Sequence, residues 1–483
     1  MNQLFYGDNL PILRQRIKDE SVDLVYLDPP FNSKRSYNVL FESKSSDDPS
    51  AQIEAFGDTW HWSQESDALF DEIIGGGAPP AVADAVLAMQ KLLGKNDVLA
   101  YLVMMSARLV ELHRVLKPTG SLFLHCDPTA SHYLKIVLDA IFDVRNFRNE
   151  IVWHYFNKMQ GNVKRLASDH DIIFWYSKSA TFTFHPVMEL RVDGPKKMLK
   201  RRWDAETKKL VNDKDENGKV QYIERTHKLA DDVWRMPMLQ PASKEKLDYP
   251  TQKPLALLER ILEMASNEGD LVLDPFCGCG TTVAAAQKLD RRWIGIDITY
   301  LAIDLIEKRL REMYGDDAHF EVSGVPGEVS AAQALFDENP FDFERWAVSL
   351  VNGQPNEKQV GDKGIDGVIR FHLNEGEIGE AVVSVKGGKQ LNPAMVQSLA
   401  GAAAQRGAQM GVFVCLGTPT KGMIEAAAQS GSFEYEFSGA SYPKVQIVTI
   451  AELLTGKRPN MPTPINPYKK AKKASGQMAM FEE

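Results

Sequence analysis

The sequence has few cysteines for its length, with four among 483 residues and none in Cys-x-x-Cys spacing. This scarcity argues against a disulfide scaffold or a zinc finger and fits the reducing conditions of the cytoplasm. The sequence also has no run of about 18 consecutive apolar residues, so we expect no membrane-spanning helix. The amino terminus lacks the charged and apolar segments of a signal peptide, which again predicts a cytoplasmic protein.

Positive charge is not in excess either. The 56 lysines and arginines are outnumbered by 65 aspartates and glutamates, which gives a net charge of −9. Any contact with nucleic acid must therefore come from a local basic patch. Hydrophobic residues at 44% and charged residues at 25% are ordinary for a globular protein. The length predicts roughly two to four domains.

Strand-like and helix-like segments alternate in two parts of the chain, residues 1–315 and 338–456. Short apolar runs such as Val22–Leu27 predict buried strands, and segments with helical spacing such as 98–116 lie between them. This alternation predicts an α/β fold in which helices cover both faces of a parallel sheet.

The first motif with chemical content, Asp28-Pro29-Pro30-Phe31, follows the predicted strand Val22–Leu27. Two consecutive prolines remove backbone donors and make a rigid turn, which holds the Pro29 carbonyl outward. The Asp28 carboxylate, that carbonyl and the Phe31 ring would together hold a planar group that bears an exocyclic amine. Taken alone, the motif is also compatible with an ordinary strand-ending turn and a core phenylalanine.

The second motif, residues 274–282, has the sequence Asp-Pro-Phe-Cys-Gly-Cys-Gly-Thr-Thr and also follows an apolar strand. Glycines between a strand and a helix let the backbone approach a ligand closely. The next predicted strand ends in Asp297, whose carboxylate is placed to accept the hydroxyls of a ribose. Val283 stands where a dinucleotide-binding turn has its third glycine, which favours a smaller nucleoside ligand. Cys277 and Cys279 are interpreted as small loop residues and not as metal ligands.

In this order, the two motifs resemble the β class of amino-group DNA methyltransferases, which use S-adenosyl-L-methionine. Four further segments support the resemblance: YGDN at 6–9, GSLFLHCDP at 120–128, DHDIIFWYSK at 169–178 and TQKP at 251–254. The resemblance covers residues 1–315. It implies a doubly wound, Rossmann-like methyltransferase sheet and a DNA-modifying enzyme in a restriction–modification or defence setting.

The resemblance also implies roles for individual residues. Cofactor-binding residues are expected at Asp8, Asn9, Lys253, Asp274, Phe276, Gly278, Gly280, Thr281 and Asp297. Asp8 would contact the adenine of the cofactor, Asp297 its ribose, and Lys253 would lie near its carboxylate. Catalysis is expected from Asp28, Pro29, Pro30 and Phe31.

In the expected mechanism, the target base is flipped out of the duplex and its amine donates to the Asp28 carboxylate and the Pro29 carbonyl. These bonds would direct the nitrogen lone pair at the sulfonium methyl, while Asp28 or a nearby water takes the released proton. Methylation of this kind requires no metal. In the family, Asp at the first motif position is more usual for adenine N6, and cytosine N4 is the alternative.

A basic window at residues 191–209 holds eight basic and three acidic side chains, and it lies where this class carries its target-recognition region. We expect phosphate contacts with double-stranded DNA from Lys196, Lys197, Lys200, Arg201 and Arg202. The alternative is an ordinary solvated surface.

A second resemblance covers residues 338–455. Glu344, Asp366 and Lys386 are similar to the residues with which Mrr-like PD-(D/E)xK restriction endonucleases bind Mg²⁺ and activate water. That family has an acid or glutamine where this sequence has Ser384, and Glu380 lies too far along the strand to replace it. Mg²⁺-dependent DNA cleavage, in a restriction enzyme that also methylates, and a DNA-binding or scaffold domain without cleavage therefore both remain open.

These resemblances predict the domain organisation. It comprises a methyltransferase domain at 1–184 and 249–315, a target-recognition insertion at 185–248, a linker at 316–337, a smaller α/β restriction-endonuclease-like domain at 338–456 and a basic, disordered tail at 457–483. The expected partners are double-stranded DNA, restriction–modification subunits and a second copy of the chain. The expected location is the bacterial cytoplasm, in association with the nucleoid. The intact motifs argue against a binding module that has lost catalysis.

Overall fold

The computed structural model describes most of the chain, including both regions in which strands and helices alternate. The residues described are 1–30, 36–40, 52–57, 62–126, 130–158, 166, 168–191, 193–240, 243, 245–247, 251–355, 364–374, 377–436 and 438–464. Phe31, a predicted catalytic residue, lies outside them. Within these ranges, none of the helices combines the length and the hydrophobicity that a membrane crossing requires.

Strands and helices alternate through the first two thirds of the chain, as predicted. The strands are β1 (Asn2–Tyr6), β2 (Val22–Leu27), β3 (Ser36–Leu40), β4 (Gln52–Gly57), β5 (Leu116–Cys126), β6 (Phe147–His154), β7 (His170–Ser177), β8 (Met188–Leu190), β9 (Lys196–Leu199), β10 (Arg201–Asp204), β11 (Lys209–Asn212), β12 (Tyr222–Arg225), β13 (His227–Leu229), β14 (Val233–Arg235), β15 (Leu271–Asp274), β16 (Arg292–Asp297) and β17 (Phe320–Ser323). The helices are α1 (Asn9–Arg16), α2 (Gln64–Glu72), α3 (Pro80–Leu93), α4 (Asp97–Val115), α5 (Ser131–Phe142), α6 (Leu255–Ala265), α7 (Thr281–Lys288) and α8 (Tyr300–Tyr314).

Nine of these strands form one large sheet in the order β14-β6-β7-β5-β2-β15-β16-β1-β17. The six strands from β5 to β17 are parallel to one another, and β7 runs antiparallel to both of its neighbours. The carboxyl ends of β2, β15, β16 and β1 therefore lie side by side at one edge. In an open α/β sheet, this edge is where ligands bind.

Helices cover both faces of the large sheet. One apolar core joins the strands to α1 through α5, and a second core joins them to α6, α7 and α8. Successive residues of β2 alternate between the cores, with Val25 in the first and Leu24 and Tyr26 in the second. The predicted doubly wound α/β fold is confirmed.

The chain after β17 forms a smaller α/β domain. Its strands are β18 (Gln354–Pro355), β19 (Gly367–Asn374), β20 (Glu377–Lys386), β21 (Met410–Cys415), β22 (Ser432–Tyr435), β23 (Ala440–Pro443) and β24 (Val445–Thr449), and its helices are α9 (Val329–Glu338), α10 (Pro340–Leu350), α11 (Pro393–Arg406), α12 (Lys421–Gln429) and α13 (Ile450–Leu454). Five strands make a sheet in the order β18-β19-β20-β21-β24. Two apolar cores again lie on its two faces.

Three predicted boundaries differ from the structure. The linker at 316–337 contains β17, which extends the large sheet, and most of α9, whose buried Ala332 belongs to the core of the smaller domain. The insertion at 185–248 contains β14, an edge strand of the large sheet. The tail predicted to be disordered begins at residue 457, but residues 457–464 are ordered. Asn460 hydrogen-bonds Gln446, and Met461 packs against a core of the smaller domain. Residues 465–483 lie outside the described chain.

Candidate active site

A cavity opens at the carboxyl edge of the large sheet, where β1, β2, β15 and β16 end. It is lined by Gly7, Asp8, Asn9, Tyr26, Asp28, Pro29, Pro30, Arg108, Thr251, Gln252, Lys253, Leu258, Asp274, Pro275, Phe276, Cys277, Gly278, Cys279, Thr281, Thr282, Asp297, Ile298 and Thr299. The two predicted motifs therefore meet in one cavity although they are about 245 residues apart in sequence, because parallel strands end at the same edge.

Asp28 lies in this cavity with one oxygen bound and one open. Its Oδ2 accepts an ion-paired hydrogen bond from Nζ of Lys253, and the two side chains are 13% and 10% exposed. Its Oδ1 is buried and has no hydrogen-bond partner among the described residues. A buried acceptor without a donor is costly, so this oxygen is the clearest sign of a bound group that donates a hydrogen bond. Lys253, which was predicted near a cofactor carboxylate, lines the cavity and contacts Asp28.

The glycine loop forms the opposite wall. Gly278 has a φ of 49°, in the left-handed region that favours glycine, and its N–H donates to Oδ2 of Asp297 at 2.8 Å. Oδ1 of Asp297 accepts from the N–H and the hydroxyl of Thr299, both at 2.8 Å. Burial raises the pKa of Asp297, although these hydrogen bonds act in the opposite direction. The carboxylate is thus held rigidly at the strand end where a ribose is expected.

Asp274 lies at the end of β15, between the two walls. Its carboxyl is buried, and Oδ1 accepts from the N–H of Phe276 at 3.1 Å. Burial raises its pKa to about 7, and the nearby charges of Asp28 and Asp297 add to this effect. The cavity therefore holds three close carboxyl groups, an arrangement that favours a positively charged ligand.

Asp8 and Asn9 enter the cavity at the beginning of α1. Asp8 caps the helix by accepting from the N–H of Leu10 at 2.9 Å, and it accepts from Nη2 of Arg108 at 2.7 Å. Asn9 donates to the carbonyl of Pro275 at 2.7 Å, which ties this segment to the glycine loop. Sequence reasoning missed Arg108, although an arginine within the apolar stretch of helix α4 was a usable signal.

One predicted cofactor residue, Gly280, is not among those that line the cavity. It precedes α7 with a φ of 74°, and a Cβ at this position would meet Cγ1 of Ile306 at 2.6 Å. Its missing side chain therefore allows α7 to pack closely against α8, and this differs from the predicted close approach to a ligand.

The basic window lies away from the cavity, on exposed hairpins of the insertion. Lys196 forms an ion pair with Asp193, while Lys200 and Arg202 contact Asp213 at 2.9 and 3.8 Å. Lys197 and Arg201 are exposed, and neither forms an ion pair with a described residue. Among the five residues predicted to contact DNA, three therefore have their charge neutralised by a neighbouring aspartate. The other two, Lys197 and Arg201, have no such ion pair with a described residue.

In the smaller domain, Asp366 is held by donors of its own chain. Its Oδ2 accepts from the N–H of Val385 at 2.6 Å and from the hydroxyl of Ser384 at 3.3 Å, and Nζ of Lys386 lies 3.5 Å away. Glu380 is bound to Arg370 and Arg406. No group of three metal-binding side chains occurs in the part of the chain that the structure describes, and Glu344 forms no such group with Asp366. Oδ2 of Asp366 is thus committed to donors of its own domain.

Comparisons with known proteins agree with this geometry. Residues 22–308 match the model of a family described as DNA methylase, N6/N4 type, and residues 342–455 match that of a family described as NACHT-associated inactive restriction endonuclease 1. Both resemblances inferred from the sequence are thereby confirmed.

Two curated relatives and one solved structure illustrate the similarity. The chain is 27% identical over 311 residues to the DNA adenine methyltransferase YhdJ of Escherichia coli K12, and this alignment covers 64% of the chain and 82% of the relative. It is 28% identical over 252 residues to the type II methyltransferase M.BglII of Bacillus subtilis, with 51% and 66% covered. The solved complex of M1.HpyAVI with S-adenosyl-L-methionine is 20% identical, covers 64% of this chain and 99% of its own, and has a TM-score of 0.35.

Proposed function

Because the chain belongs to the N6/N4 DNA methylase family, we propose that it moves a methyl group from S-adenosyl-L-methionine to the N6 amine of adenine in double-stranded DNA. The single observation that carries this proposal is the open oxygen of Asp28, buried in the same cavity as the glycine loop. A hydrogen-bond donor and a nucleoside cofactor can thus be held side by side.

The residues of the cavity fit the cofactor. A carboxylate offers about four acceptor positions, so Asp297 can accept from a ribose hydroxyl in addition to its three bonds with Gly278 and Thr299. Asp274 would face the positively charged groups of the ligand, and Asp8 would contact its adenine. When bound, S-adenosyl-L-methionine supplies a methyl group on a positively charged sulfur. Asp8, Asn9, Lys253, Phe276 and Thr281 complete the proposed binding site.

Asp28 and the proline turn would orient the target amine. The lone pair of an aromatic amine is conjugated with its ring, which makes the nitrogen a poor nucleophile. Hydrogen bonds from the amine to Oδ1 of Asp28 and to the carbonyl of Pro29 favour a more tetrahedral nitrogen, whose lone pair then points at the methyl group. Pro29 and Pro30 hold this turn rigid, so alignment of the two reactants is the main catalytic effect. Phe31 is proposed to stack on the flipped base.

Adenine is favoured over cytosine by two arguments. The relative YhdJ is named a DNA adenine methyltransferase. In the family that the sequence resembles, Asp at the first position of the Asp-Pro-Pro-Phe motif is more usual for enzymes that methylate adenine. Cytosine N4 is the second candidate, since the family model covers both amines.

The test is transfer of label from tritiated S-adenosyl-L-methionine to unmethylated plasmid DNA. The native protein should label the DNA, and Asp28→Asn, which replaces an acceptor oxygen by an amide, should not. Asp19→Asn changes an exposed aspartate that does not line the cavity and serves as the matched control. Equal labelling by Asp28→Asn and the control would refute the assigned role of Asp28, and no labelling by the native protein would refute the proposed function.

We further propose that the smaller domain does not cleave DNA. Ser384 supplies a hydroxyl where metal-dependent nucleases supply an acid, and three donors already surround Oδ2 of Asp366. The matching family is itself described as inactive. Supercoiled plasmid should therefore remain intact with the protein and Mg²⁺, and Mg²⁺-dependent nicking that Asp366→Ala abolishes would overturn this proposal.

A further inference from the structure

The smaller domain packs against the methyltransferase domain close to the cofactor cavity. Its helix α10 contacts helix α8 of the larger domain. Tyr300, the first residue of α8, and Val325, which follows β17, pack against a core of the smaller domain. Val325 also packs against the second core of the large sheet. The proposed methyl transfer, as described so far, gives this contact no role.

Two tyrosines of the larger domain meet α10. The rings of Tyr6 and Tyr300 lie edge to face, with their centroids 6.0 Å apart and an angle of 81° between their planes. The hydroxyl of Tyr6 donates a hydrogen bond to the carboxyl group of Asp342, in the first turn of α10. The hydroxyl groups of Tyr300 and Ser349 are also hydrogen-bonded, and Ser349 is in the last turn of the same helix. Helix α10 therefore holds both tyrosines.

Each tyrosine is joined directly to a segment that lines the cavity. Tyr6 is the last residue of β1, and it is followed by the cavity residues 7–9. Tyr300 is preceded by the cavity residues 298 and 299. Neither tyrosine is among the residues that line the cavity. Any effect of the two tyrosines on a bound cofactor must therefore pass through these neighbouring residues.

Both segments meet at Asp297, the residue expected to bind the ribose. The N–H of Gly7 donates to the carbonyl of Asp297 at 2.9 Å. The N–H and the hydroxyl of Thr299 donate to Oδ1 of Asp297, each at 2.8 Å. Behind Tyr6, the backbone at Gly324 packs so closely that a Cβ there would be 2.2 Å from the Tyr6 carbonyl oxygen. The end of β1 is thus confined between this backbone and α10, and its position fixes that of Asp297.

We propose that the smaller domain positions the cofactor site through Tyr6 and Tyr300, so that docking of this domain and binding of S-adenosyl-L-methionine are coupled. This inference rests on the proposed function. Tyr6, Tyr300 and Asp342 are positioning residues, because they hold the segments that bind the cofactor and do not touch it. Coupling acts equally in both directions, so a bound cofactor must in turn hold α10 more firmly. The smaller domain then has a role that needs no DNA cleavage.

The test acts on the contact from the side of the smaller domain. Asp342→Ala removes the acceptor of Tyr6. Asp337→Ala is the matched control, because Asp337 is exposed and hydrogen-bonds Gln333 of its own helix α9. Calorimetry on the whole chain without DNA measures affinity for S-adenosyl-L-methionine. Single-turnover labelling of DNA at saturating cofactor measures the rate of transfer separately.

Asp342→Ala should weaken cofactor binding about three- to tenfold, which is the usual effect of one hydrogen bond, and leave the rate at saturating cofactor within about twofold of the native rate. Asp337→Ala should change neither quantity. Native affinity in Asp342→Ala would overturn the proposal. A loss of rate as large as the loss of affinity would also overturn it, because it would show damage to the whole site and not a change in positioning.

Tyr6→Phe removes the donor of the same hydrogen bond, and it decides the question if Asp342→Ala does not fold. It should weaken cofactor binding to the same extent as Asp342→Ala. The double variant Tyr6→Phe/Asp342→Ala should bind no more weakly than either single variant, because both substitutions remove one shared interaction. Effects on affinity that simply add would contradict a contact between the two residues that serves the cofactor site.

Hydrogen exchange on the whole chain tests the reciprocal effect. S-adenosyl-L-methionine should slow amide exchange in α10 but not in α12, which packs in the core on the other face of the smaller sheet. Exchange in α10 that the cofactor leaves unchanged would overturn the coupling. Absence of cofactor binding by the native protein would refute the proposed function and this inference with it. Cofactor binding without transfer to DNA would refute the proposed function alone, since affinity and exchange would still test the coupling.

Discussion

Asp28 and Asp366 are both aspartates at the ends of strands, each beside a lysine, and they differ in how their oxygens are used. Asp28 has one oxygen bound by Lys253 and one buried oxygen with no partner among the described residues. Asp366 is held by Val385, Ser384 and Lys386 of its own domain. A buried carboxylate oxygen without a donor, such as Oδ1 of Asp28, marks a place for a ligand, whereas Oδ2 of Asp366 is committed to donors of its own domain.

The largest effect is expected from Asp28→Asn. The amide cannot serve as the proton acceptor, so the rate of methyl transfer should fall by about two to four orders of magnitude. Affinity for S-adenosyl-L-methionine should change little, because the glycine loop stays intact. Calorimetry and single-turnover labelling would measure the two quantities separately, and lost affinity with normal transfer would contradict the assignment.

Asp297→Asn should have the opposite profile. A charge-assisted hydrogen bond contributes about 1.5–3 kcal/mol, so the loss of one should weaken cofactor binding about ten- to a hundredfold. Asp290→Asn, at an exposed residue in the same region, is the control and should leave the dissociation constant unchanged. An unchanged constant in Asp297→Asn as well would remove this residue from the site.

The raised pKa of Asp274 predicts a dependence of binding on pH. With a pKa of about 7 in the folded protein, the carboxyl is largely protonated below pH 7 and ionised above it. A cationic cofactor favours the ionised form, so affinity should increase by up to about tenfold per pH unit as pH rises towards 7. Calorimetry at pH 6, 7 and 8 should show this trend, and Asp274→Asn should remove it.

The raised pKa of Asp274 also predicts how the stability of the fold depends on pH. In the unfolded state the carboxyl loses its proton near the ordinary pKa of 3.8, whereas in the folded state it keeps the proton up to about pH 7. This contribution to stability is therefore present below pH 4 and is lost as pH rises through 7. Asp274→Asn should lack this loss, so its unfolding midpoint relative to the native protein should rise between pH 5 and pH 8. A constant difference between the two proteins would contradict the shift.

A smaller effect is expected in the basic window. If Lys197 and Arg201 contact phosphates, the double variant to Gln should make the slope of log K against log salt shallower by about 0.9 per contact, without changing sequence preference. The matched variant of Lys200 and Arg202, which are ion-paired with Asp213, should change the slope less. Titrations of target and scrambled duplexes at three salt concentrations would measure both. Equal changes in slope would mean that the ion pairs open on binding.

The smallest effect is expected at Asp366. Because Asp366→Asn removes no metal site, millimolar Mg²⁺ should leave the unfolding midpoints of the native protein and of this variant equally unchanged. Methyl transfer should also be unaffected by the substitution. Stabilisation by Mg²⁺ that disappears in Asp366→Asn would reinstate the nuclease interpretation.

Much of the cavity was predictable because its residues follow strands. Asp28, Asp274 and Asp297 each end an apolar run, and parallel strands bring such ends together. The pairing of Lys253 with Asp28 was not predictable, since both a ligand and a neighbouring side chain can neutralise a lysine. Gly280 was assigned by its motif, yet contact with Ile306, which no local pattern shows, explains the glycine.

The domain boundaries show the same limit. A short edge strand such as Phe320–Ser323 has weak patterning, because only its pairing with β1 makes it a strand. The hydrogen bonds that join Tyr26, His125 and Asp171 were also missed, because these residues come from three separate strands and meet only across the folded sheet. Local patterns thus predicted elements and motifs, while contacts between distant segments required the structure.

The most direct test of the account identifies the base that the protein modifies. DNA labelled by the native protein and S-adenosyl-L-methionine would be digested to nucleosides and separated by chromatography with mass detection. The proposed function predicts N6-methyldeoxyadenosine, and at least about a hundredfold less of it in the same time with Asp28→Asn. N4-methyldeoxycytidine would contradict the choice of adenine as the target base. Unmodified nucleosides alone would contradict the proposed methyl transfer to DNA.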